Sequence, residues 1–276
     1  MAARTPSATA LPLPEATPTF VAPPDWRAID FISDLHLAVS TPLTFAAWAC
    51  HLRHTRADAV FILGDLFEVW VGDDLAERGF EARCVEVLRE TATRKAIAFM
   101  AGNRDFLVGD AILEANGVMR LQDPTLIDAF ATRVLVSHGD ALCLGDVGYQ
   151  RYRRLVRRPG LQRAFLSLPL AWRRALGRAA RQRSDSLHPA RERRFIDVDA
   201  DATLGWVASA DVPVLIHGHT HAPASHALAP GSARHVLSDW DLDGDGTPRA
   251  EVLRWTAEGF ARIAPEGAPP GETARP

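Results

Sequence analysis

Five short apolar runs, each ending in polar residues, constrain the fold of this chain more than any other feature of its sequence. The runs read AIDFISDLH, AVFILGD, AIAFMAGNRD, RVLVSHGD and VPVLIHGHTH. Continuous apolar runs of this kind are typical of strands buried on both faces, as in the parallel sheets of α/β proteins. Helical patterns over residues 41–56 and 75–95 lie between the first three runs. The sequence therefore predicts an α/β fold in which helices and sheets form layers.

The residues that end these runs are of types that bind metal ions. Because ligands of α/β proteins lie beyond the carboxyl ends of the strands, the five strand ends are expected to meet at one place. A lone Asp or His in such a position is usually a helix cap or a surface residue, but five such ends in one chain favour a shared metal centre. The candidate ligands are Asp34, His36, Asp65, Asn103, His138, His217 and His219.

The types of these ligands predict a pair of divalent ions. Two ions about 3.5–4 Å apart need a carboxylate that contacts both of them, and Asp65 suits that position. A mixture of imidazole, carboxylate and amide ligands suits Mn²⁺, Fe²⁺ or Zn²⁺, and the sequence does not choose among the three. The stretch DLDGDG, residues 241–246, imitates a calcium loop, but its twelfth position would be Val252. It is interpreted as a hairpin turn.

The composition is that of a soluble globular protein, with 47% hydrophobic and 24% charged residues and a formal net charge of −3. Cys50, Cys84 and Cys143 are predicted to be buried thiols in a reducing compartment. No apolar run is long enough to span a membrane. The predicted core comprises residues 26–147 and 195–265, with an arginine-rich insertion at 148–194 and disordered tails at 1–25 and 266–276.

The ordered set of motifs resembles the calcineurin-like metallophosphoesterases from Phe31 to Pro223. The resemblance implies an αββα sandwich with a helical cap inserted into it. It also implies that one metal is held by Asp34, His36, Asp65 and His219, and the other by Asp65, Asn103, His138 and His217. His221 is expected to serve in hydrogen bonding or packing instead of binding a metal, and Asp105 and Asp140 are expected to orient ligand side chains.

Arg104 follows Asn103, where many members of this superfamily have a histidine that can protonate the leaving oxygen. An arginine cannot supply a proton, but its guanidinium binds phosphate oxygens well. An alkoxide leaving group needs a proton, since its conjugate acid has a pKa near that of water, roughly 15.7. A phosphate leaving group, with a second pKa of about 6, does not. Arg104 therefore favours cleavage of a pyrophosphate.

Five longer stretches carry a more specific resemblance: FISDLHL, LGDLFEVWVGDD, AGNRDFL, SHGDALC and GYQRYRRLVRRPGLQRAFLSLPL. They resemble the UDP-2,3-diacylglucosamine diphosphatases of the lipid A pathway in Gram-negative bacteria, over residues 31–226. That resemblance implies Mn²⁺-dependent hydrolysis to UMP and 2,3-diacylglucosamine 1-phosphate (lipid X), with a metal-activated water attacking the α-phosphorus. It implies two Mn²⁺ ions per chain and direct catalytic roles for Asp65, Arg104 and His217.

The same resemblance assigns the substrate contacts. They are Asn103, Arg104, Asp146, Ser184, His188, Arg191 and His217. Three positions depart from the family pattern, because His188 replaces an amide, Arg191 replaces a lysine, and Ala222 replaces the arginine of the usual HTHRP motif. The geometry of the substrate contacts at 188 and 191 is therefore left open.

The insertion combines arginines with apolar residues, namely Phe165, Leu166, Leu168, Leu170, Trp172 and Leu176. It is interpreted either as a helix pair that packs on the core or as a lid for acyl chains that also contacts an anionic membrane. The second interpretation predicts a peripheral protein on the cytoplasmic face of the inner membrane. The alternatives are a pyrophosphatase of another nucleotide substrate and a non-catalytic binding scaffold. No nucleic acid or protein partner is expected.

Overall fold

Two six-stranded sheets form the centre of the computed structural model, which describes residues 11–187 and 197–267, without the side chains of 183–187. The strands of the first sheet are β1 (Thr19–Val21), β6 (Thr125–Ala129), β7 (Thr132–Ser137), β8 (Val214–His217), β9 (Ala224–Ala229) and β10 (Ser232–Val236). Those of the second are β2 (Ala28–Ile32), β3 (Ala59–Leu63), β4 (Ala96–Met100), β5 (Val118–Leu121), β11 (Val252–Thr256) and β12 (Gly259–Ile263). The order in the first sheet is β1-β6-β7-β8-β10-β9, and in the second β12-β11-β2-β3-β4-β5.

Strands β2, β3, β4 and β5 run parallel, and β2 and β3 are buried along their whole length. Their side chains alternate between two apolar clusters. In β3, Val60 and Ile62 face the helices, whereas Phe61 and Leu63 face the other sheet. Both faces are thus apolar, which is why the sequence runs are continuous instead of alternating.

The helices cover the outer faces of both sheets. Helices α1 (Pro42–His54), α2 (Phe80–Ala92) and α3 (Asp110–Ala115) contribute residues to the cluster on the second sheet, and α7 (Ala200–Ala210) packs on the first. A third cluster fills the space between the sheets. The layers are therefore helix, sheet, sheet and helix, which confirms the predicted αββα sandwich.

Three further helices form the cap: α4 (Val147–Val156), α5 (Pro159–Leu166) and α6 (Leu170–Leu187). The sequence predicted a helix pair as one interpretation, and the structure has three helices because Pro159 and Pro169 each interrupt the helical pattern. Several large apolar side chains of the cap are exposed: Val147, Tyr152, Leu155, Leu161, Leu166, Trp172 and Leu176. Among the described helices, none combines the length and apolar character that crossing a bilayer requires.

The described residues of the N-terminal segment, 11–25, contact the core, so the predicted disordered tail at 1–25 is wrong for these residues. Strand β1 pairs in parallel with β6, and Leu11 and Leu13 pack against the cluster beneath α7. The indole Nε1 of Trp206 donates to the carbonyl oxygen of Leu11 at 3.0 Å. The proline-rich composition of the segment did not indicate a strand, because β1 forms only by pairing with β6. Residues 1–10 lie outside the described part of the chain.

The C-terminal boundary also differs from the prediction, because residues 266 and 267 contact α1. The backbone N–H of Glu266 donates to His51 Nδ1 at 3.1 Å, and the Cys50 thiol donates to the Gly267 carbonyl at 2.8 Å. Residues 268–276 are not described. Cys84 and Cys143 are buried as predicted, whereas Cys50 is only half-buried.

The stretch DLDGDG forms a turn closed by an isolated bridge between Asp241 and Arg249. Within it, the Asp243 carboxylate accepts from the backbone N–H groups of Leu43 and Thr44 at 2.9 and 2.8 Å. A carboxylate at this place stabilises the first turn of α1, whose N–H groups have no partner inside the helix. The turn is thus a helix cap.

Candidate metal centre

All of the predicted ligands except His217 meet where the carboxyl ends of β2, β3, β4, β7 and β8 converge. Asp34 and His36 follow β2, Asp65 follows β3 and Asn103 follows β4. His138 comes directly after β7, and the loop after β8 carries His219 and His221. The loops after β2 and β3 are joined because the backbone N–H groups of Leu35 and His36 both donate to the Asp65 carbonyl, at 2.9 and 3.0 Å. Five strand ends thus contribute to a single site.

One half of the site is formed by Asp34, His36 and His221. The Nε2 atoms of His36 and His221 lie 3.3 Å apart, and His221 Nε2 lies 3.4 Å from Asp34 Oδ1. His36 Nε2 is also 3.9 Å from Asp65 Oδ2. On the far side of the rings, His36 Nδ1 faces Glu68 Oε2 at 3.2 Å and His221 Nδ1 faces Asp239 Oδ2 at 3.3 Å.

The other half is formed around Asn103. Its Oδ1 lies 2.9 Å from His138 Nε2 and 2.9 Å from His219 Nδ1. Asp65 Oδ1 is 3.7 Å from His138 Nε2, so the two oxygens of Asp65 face the two halves of the site. His138 Nδ1 lies 2.9 Å from the Leu63 carbonyl oxygen, to which it donates.

The nitrogen and oxygen atoms that face each other in the site are arranged to bind a cation instead of to form hydrogen bonds with one another. Nδ1 of His36 and of His221 each faces a carboxylate, which favours a proton on these nitrogens and makes Nε2 the acceptor in each neutral ring. When both rings are neutral, the two Nε2 lone pairs face each other and the oxygens of Asp34 and Asp65. In the same way, His138 Nε2 faces the Asn103 oxygen. Facing acceptors repel unless a cation or extra protons lie between them, so these residues fit divalent metal ions.

The positions of the histidines differ from the expected assignment. His221 was expected outside the ligand set, but it lies with Asp34 and His36, where His219 was expected. His219 lies beside Asn103 and His138, where His217 was expected. His217 belongs to neither group of close contacts among the described residues, and its Nδ1 faces the Gly218 carbonyl oxygen at 2.8 Å.

The alternation of side chains along β8 explains this shift. Ile216 faces the space between the sheets, while Leu215 faces α7 on the outer side. His217 is the last residue of the strand and has the same parity as Leu215, so its side chain lies on the outer side. His219 and His221 come after the strand and do not follow its alternation. The spacing G-H-x-H past the strand end was the signal available in the sequence.

The backbone conformation marks the same residues. Positive φ angles occur at Asp34, His36, Asp65, His219 and His221, with values of 54°, 49°, 53°, 67° and 49°. The left-handed region costs a residue with a Cβ atom roughly 1–2 kcal/mol, and such strain clusters at functional sites. Asn103 and His138 of the site, like His217 outside it, have no positive φ, so the conformation is confined to the loops after β2, β3 and β8 within the site. The strained turns let consecutive loop residues point into one site.

Burial and close charges shift the pKa values in opposite directions within the site. Burial alone would lower the pKa of His221, but the carboxylates of Asp239 and Asp34 raise it to about 10. His138 is likewise lowered by burial and raised, mainly by Asp65, to about 9. Burial and the charge of His138 lower the pKa of His219 to about 4. The site therefore concentrates negative charge and attracts cations.

Asp105 and Asp140 support the site by holding its backbone and its cap. The Asp105 carboxylate accepts from the backbone N–H groups of Leu66 and Gly102, at 2.7 and 2.8 Å, which joins the loops after β3 and β4. Asp140 accepts from the Tyr149 hydroxyl at 2.5 Å and from Arg153 Nε at 2.8 Å, both on α4. Neither carboxylate has a hydrogen bond to a ligand side chain in the described contacts. Instead of orienting ligand side chains, as the sequence predicted, Asp105 holds the loop backbone and Asp140 holds the cap.

The predicted substrate contacts are only partly covered by the structure. The Arg104 backbone N–H donates to Asp65 Oδ1 at 2.9 Å, and its Nε is buried without a hydrogen-bond partner in the described part of the chain. Asp146 caps α4, since its carboxylate accepts from the Tyr149 N–H at 2.8 Å. The side chain of Ser184 and the whole of His188 and Arg191 lie outside the described residues.

Sequence reasoning missed Glu68 and Asp239, and it placed His221 outside the ligand set. Glu68 lies in the stretch LGDLFEVWVGDD, and Asp239 lies in an apolar stretch after β10. Nothing in their local patterns distinguishes them from surface acids, because their partners are His36 and His221, far away along the chain.

Known proteins are similar in sequence to this chain over most of its length. The model of the family "Calcineurin-like phosphoesterase" matches residues 28–223. A protein named "UDP-2,3-diacylglucosamine hydrolase" from Chromobacterium violaceum is 44% identical over 221 residues, covering 77% of this chain and 90% of that protein. Proteins of the same name from Coxiella burnetii and Ralstonia nicotianae are 39% and 40% identical, covering 83% and 81% of this chain and 93% and 87% of their own lengths.

Proposed function

The chain belongs to the calcineurin-like phosphoesterase family, and from this membership we propose that it hydrolyses the pyrophosphate bond of UDP-2,3-diacylglucosamine. The products are UMP and 2,3-diacylglucosamine 1-phosphate. The observation that carries the proposal is the convergence of the acceptor side chains at one strand edge, in a chain about 40% identical to hydrolases of that name over most of their length.

Two divalent cations, which we propose to be Mn²⁺, have suitable ligands in the site. Asp34, His36, Asp65 and His221 would hold one ion, and Asp65, Asn103, His138 and His219 would hold the other. The ions would supply Lewis acidity, which lowers the pKa of a water molecule and offsets phosphate charge. This ligand set replaces the one expected from the sequence: His36 and His138 keep their roles, and the two histidine roles after β8 each move two residues along the chain. It leaves His217 without the ligand, catalytic and substrate roles first expected of it.

Arg104 is the residue proposed to bind the diphosphate. Its backbone is fixed between the Asp65 carboxylate and the Trp70 N–H, which donates to the Arg104 carbonyl at 3.1 Å. The buried Nε, which has no hydrogen-bond partner among the described residues, supports a role in binding an anion. Water adds to the α-phosphorus, the bond to the bridging oxygen breaks, and the sugar 1-phosphate leaves as an anion. Because that leaving group needs no proton, an arginine beside it suffices.

The cap is proposed to receive the acyl chains. Tyr152, Leu155, Trp172 and Leu176 are exposed by 47, 48, 67 and 49%, and a chamber for two acyl chains requires such side chains. The arginines between them suit phosphate or an anionic bilayer surface, which supports peripheral association with the cytoplasmic face of the inner membrane. A substrate contact by Asp146 remains compatible with its capping of α4, and contacts by Ser184, His188 and Arg191 stay predictions.

Product analysis by mass spectrometry tests the proposal. The metal-free protein, with and without added Mn²⁺, is given UDP-2,3-diacylglucosamine in ¹⁸O-labelled water. UMP carrying the label, formed only with Mn²⁺, is the expected result. Label in the sugar phosphate would contradict attack at the α-phosphorus.

Two controls define the substrate and the site. UDP-GlcNAc has the same diphosphate but lacks the acyl chains, so equal turnover of both substrates would favour the alternative of a general nucleotide pyrophosphatase. Asp65→Ala removes the carboxylate between the two halves and should abolish nearly all turnover, with the helical content unchanged. Wild-type rates from Asp65→Ala would contradict the proposed ligand set.

A further inference from the structure

Glu68 lies between the candidate metal centre and the cap. Its backbone N–H donates to the Leu37 carbonyl at 3.1 Å, and a bridge between Leu37 and Phe67 holds the two loops side by side. The Glu68 carboxylate therefore faces the loop that carries His36. Its side chain is 23% exposed, so the contacts it makes are only partly screened by water.

The two oxygens of Glu68 have different partners. Oε2 lies 3.2 Å from Nδ1 of His36, the nitrogen on the far side of the ring from the other ligands. Oε1 forms an ion pair with Nε of Arg181 on α6.

The contact with His36 is a 3.2 Å approach of the two groups and not a hydrogen bond of regular geometry. A carboxylate this close to Nδ1 favours the tautomer that carries the proton there, which leaves the Nε2 lone pair facing His221 and Asp65. Partners of this kind raise the affinity of metal-binding histidines, and their removal typically costs roughly 10–100-fold in affinity. Glu68 is thus a positioning residue for the half of the site formed by Asp34, His36 and His221.

The contact with Arg181 adds the cap to this arrangement. Helix α6 packs closely on the loop after β3, since a Cβ atom at Gly177 would lie 2.8 Å from Val71 Cγ1. Arg173 strengthens the same contact by donating to the Val71 carbonyl at 2.6 Å and to Asp74 Oδ1 at 2.9 Å. Arg181 therefore reaches Glu68 from a helix whose position is set by packing, and a shift of α6 would move the Glu68 carboxylate.

We propose that Glu68 couples the position of cap helix α6 to the affinity of the Asp34, His36 and His221 half-site for a divalent cation. The inference rests on the cation site of the proposed function. Coupling between two sites is reciprocal, so a bound cation also stabilises α6 in its position on the core. Helix α6, part of the cap that is proposed to receive the acyl chains, would then take its full position on the core only when the protein holds its metal.

Arg181→Gln distinguishes this coupling from simple electrostatics. Removing a positive charge near a cation site should strengthen cation binding if only charge matters. If Arg181 holds Glu68 in place, the same substitution should weaken binding, by ~3–10-fold, below the range for loss of the carboxylate itself. Arg178→Gln is the matched control, because Arg178 lies exposed on the same helix and loses the same charge.

The experiment measures Mn²⁺ binding to the full-length metal-free protein by electron paramagnetic resonance of the free ion. Glu68→Gln should weaken one class of ions by ~10-fold or more, and the double variant with Arg181→Gln should bind no more weakly than Glu68→Gln alone. Hydrogen exchange of α6 should slow on addition of Mn²⁺ in the wild type and in Arg178→Gln, but not in Glu68→Gln. Circular dichroism confirms that each variant is folded.

Unchanged or tighter Mn²⁺ binding by Arg181→Gln would overturn the coupling, as would slowed exchange of α6 in Glu68→Gln. These measurements contain no nucleotide substrate, so a failure to cleave UDP-2,3-diacylglucosamine would leave their result intact. Failure of the wild-type protein to bind Mn²⁺ would remove the proposed cation site and the coupling with it.

Discussion

A buried ion pair on β2, the strand that precedes Asp34, gives a quantitative prediction for stability. Asp30, on β2 four residues before Asp34, is fully buried. Arg254 of β11 donates to both of its oxygens, from Nε at 2.7 Å and from Nη2 at 2.9 Å, and the Thr55 hydroxyl donates at 2.5 Å. Burial would raise the pKa of Asp30, but Arg254, His51 and Thr55 lower it from 3.8 to about 2. The pair joins the C-terminal strands to the strand that carries the site.

The lowered pKa sets the sign and the size of the pH dependence. A group whose pKa is lower in the folded protein stabilises it above the unfolded-state pKa, and this contribution is lost as the pH falls from about 5 towards 2. A difference of nearly two pKa units corresponds to about 2 kcal/mol of unfolding free energy. Arg254→Met removes the main partner and leaves a buried carboxylate, which should destabilise the protein by about 3–5 kcal/mol at neutral pH.

Urea unfolding followed by tryptophan fluorescence, on metal-free protein between pH 7 and pH 3, measures both effects. The stability of Arg254→Met should depend less steeply on pH below about pH 5 than that of the wild type. Arg89→Met is the matched control, since Arg89 pairs with Glu86 on the exposed surface of α2, and its loss should leave the free energy of unfolding close to that of the wild type. Parallel curves for the wild type and Arg254→Met, less than about 1 kcal/mol apart, would refute the assignment of the shift to this pair.

Three further predictions concern the site. His221→Ala should weaken the binding of one Mn²⁺ ion by ~100-fold or more in equilibrium dialysis, whereas His217→Ala should retain both ions; the reverse result would restore the sequence-based assignment. Gly218→Ala should also impair Mn²⁺ binding, although it removes no ligand, because a Cβ atom there would overlap the Asp34 carboxylate. Wild-type affinity in that variant would show that the loop can move. Arg104→Gln should lower kcat/KM for the diphosphate substrate by roughly 100-fold with Mn²⁺ binding unchanged, and a steady-state rate equal to that of the wild type would exclude Arg104 from diphosphate binding.

The fold could be predicted from the sequence because strands buried on both faces consist of continuous apolar runs. Every residue of β3 must be apolar when helices cover one side and a second sheet the other, so AVFIL identifies the strand without knowledge of its neighbours. The polar residues after each run were equally visible, since the carboxyl ends of such strands form a shared edge. The N-terminal strand was missed for the complementary reason: Thr19–Val21 is short and half-exposed, and it becomes a strand only by pairing with β6.

The sequence by itself determined which strand ends carry the acceptors, and the tertiary structure decided which acceptors meet. Residues 217, 219 and 221 are all histidines spaced two positions apart, so the sequence pattern alone makes each of them a candidate metal ligand. The end of β8 separates them: up to His217 the side chains alternate across the sheet, and beyond it positive φ angles turn His219 and His221 inward. The partners of Glu68 and Asp30 are likewise absent from their local sequence. Contacts between distant segments depend on how strands and helices pack, and that packing is a property of the whole chain.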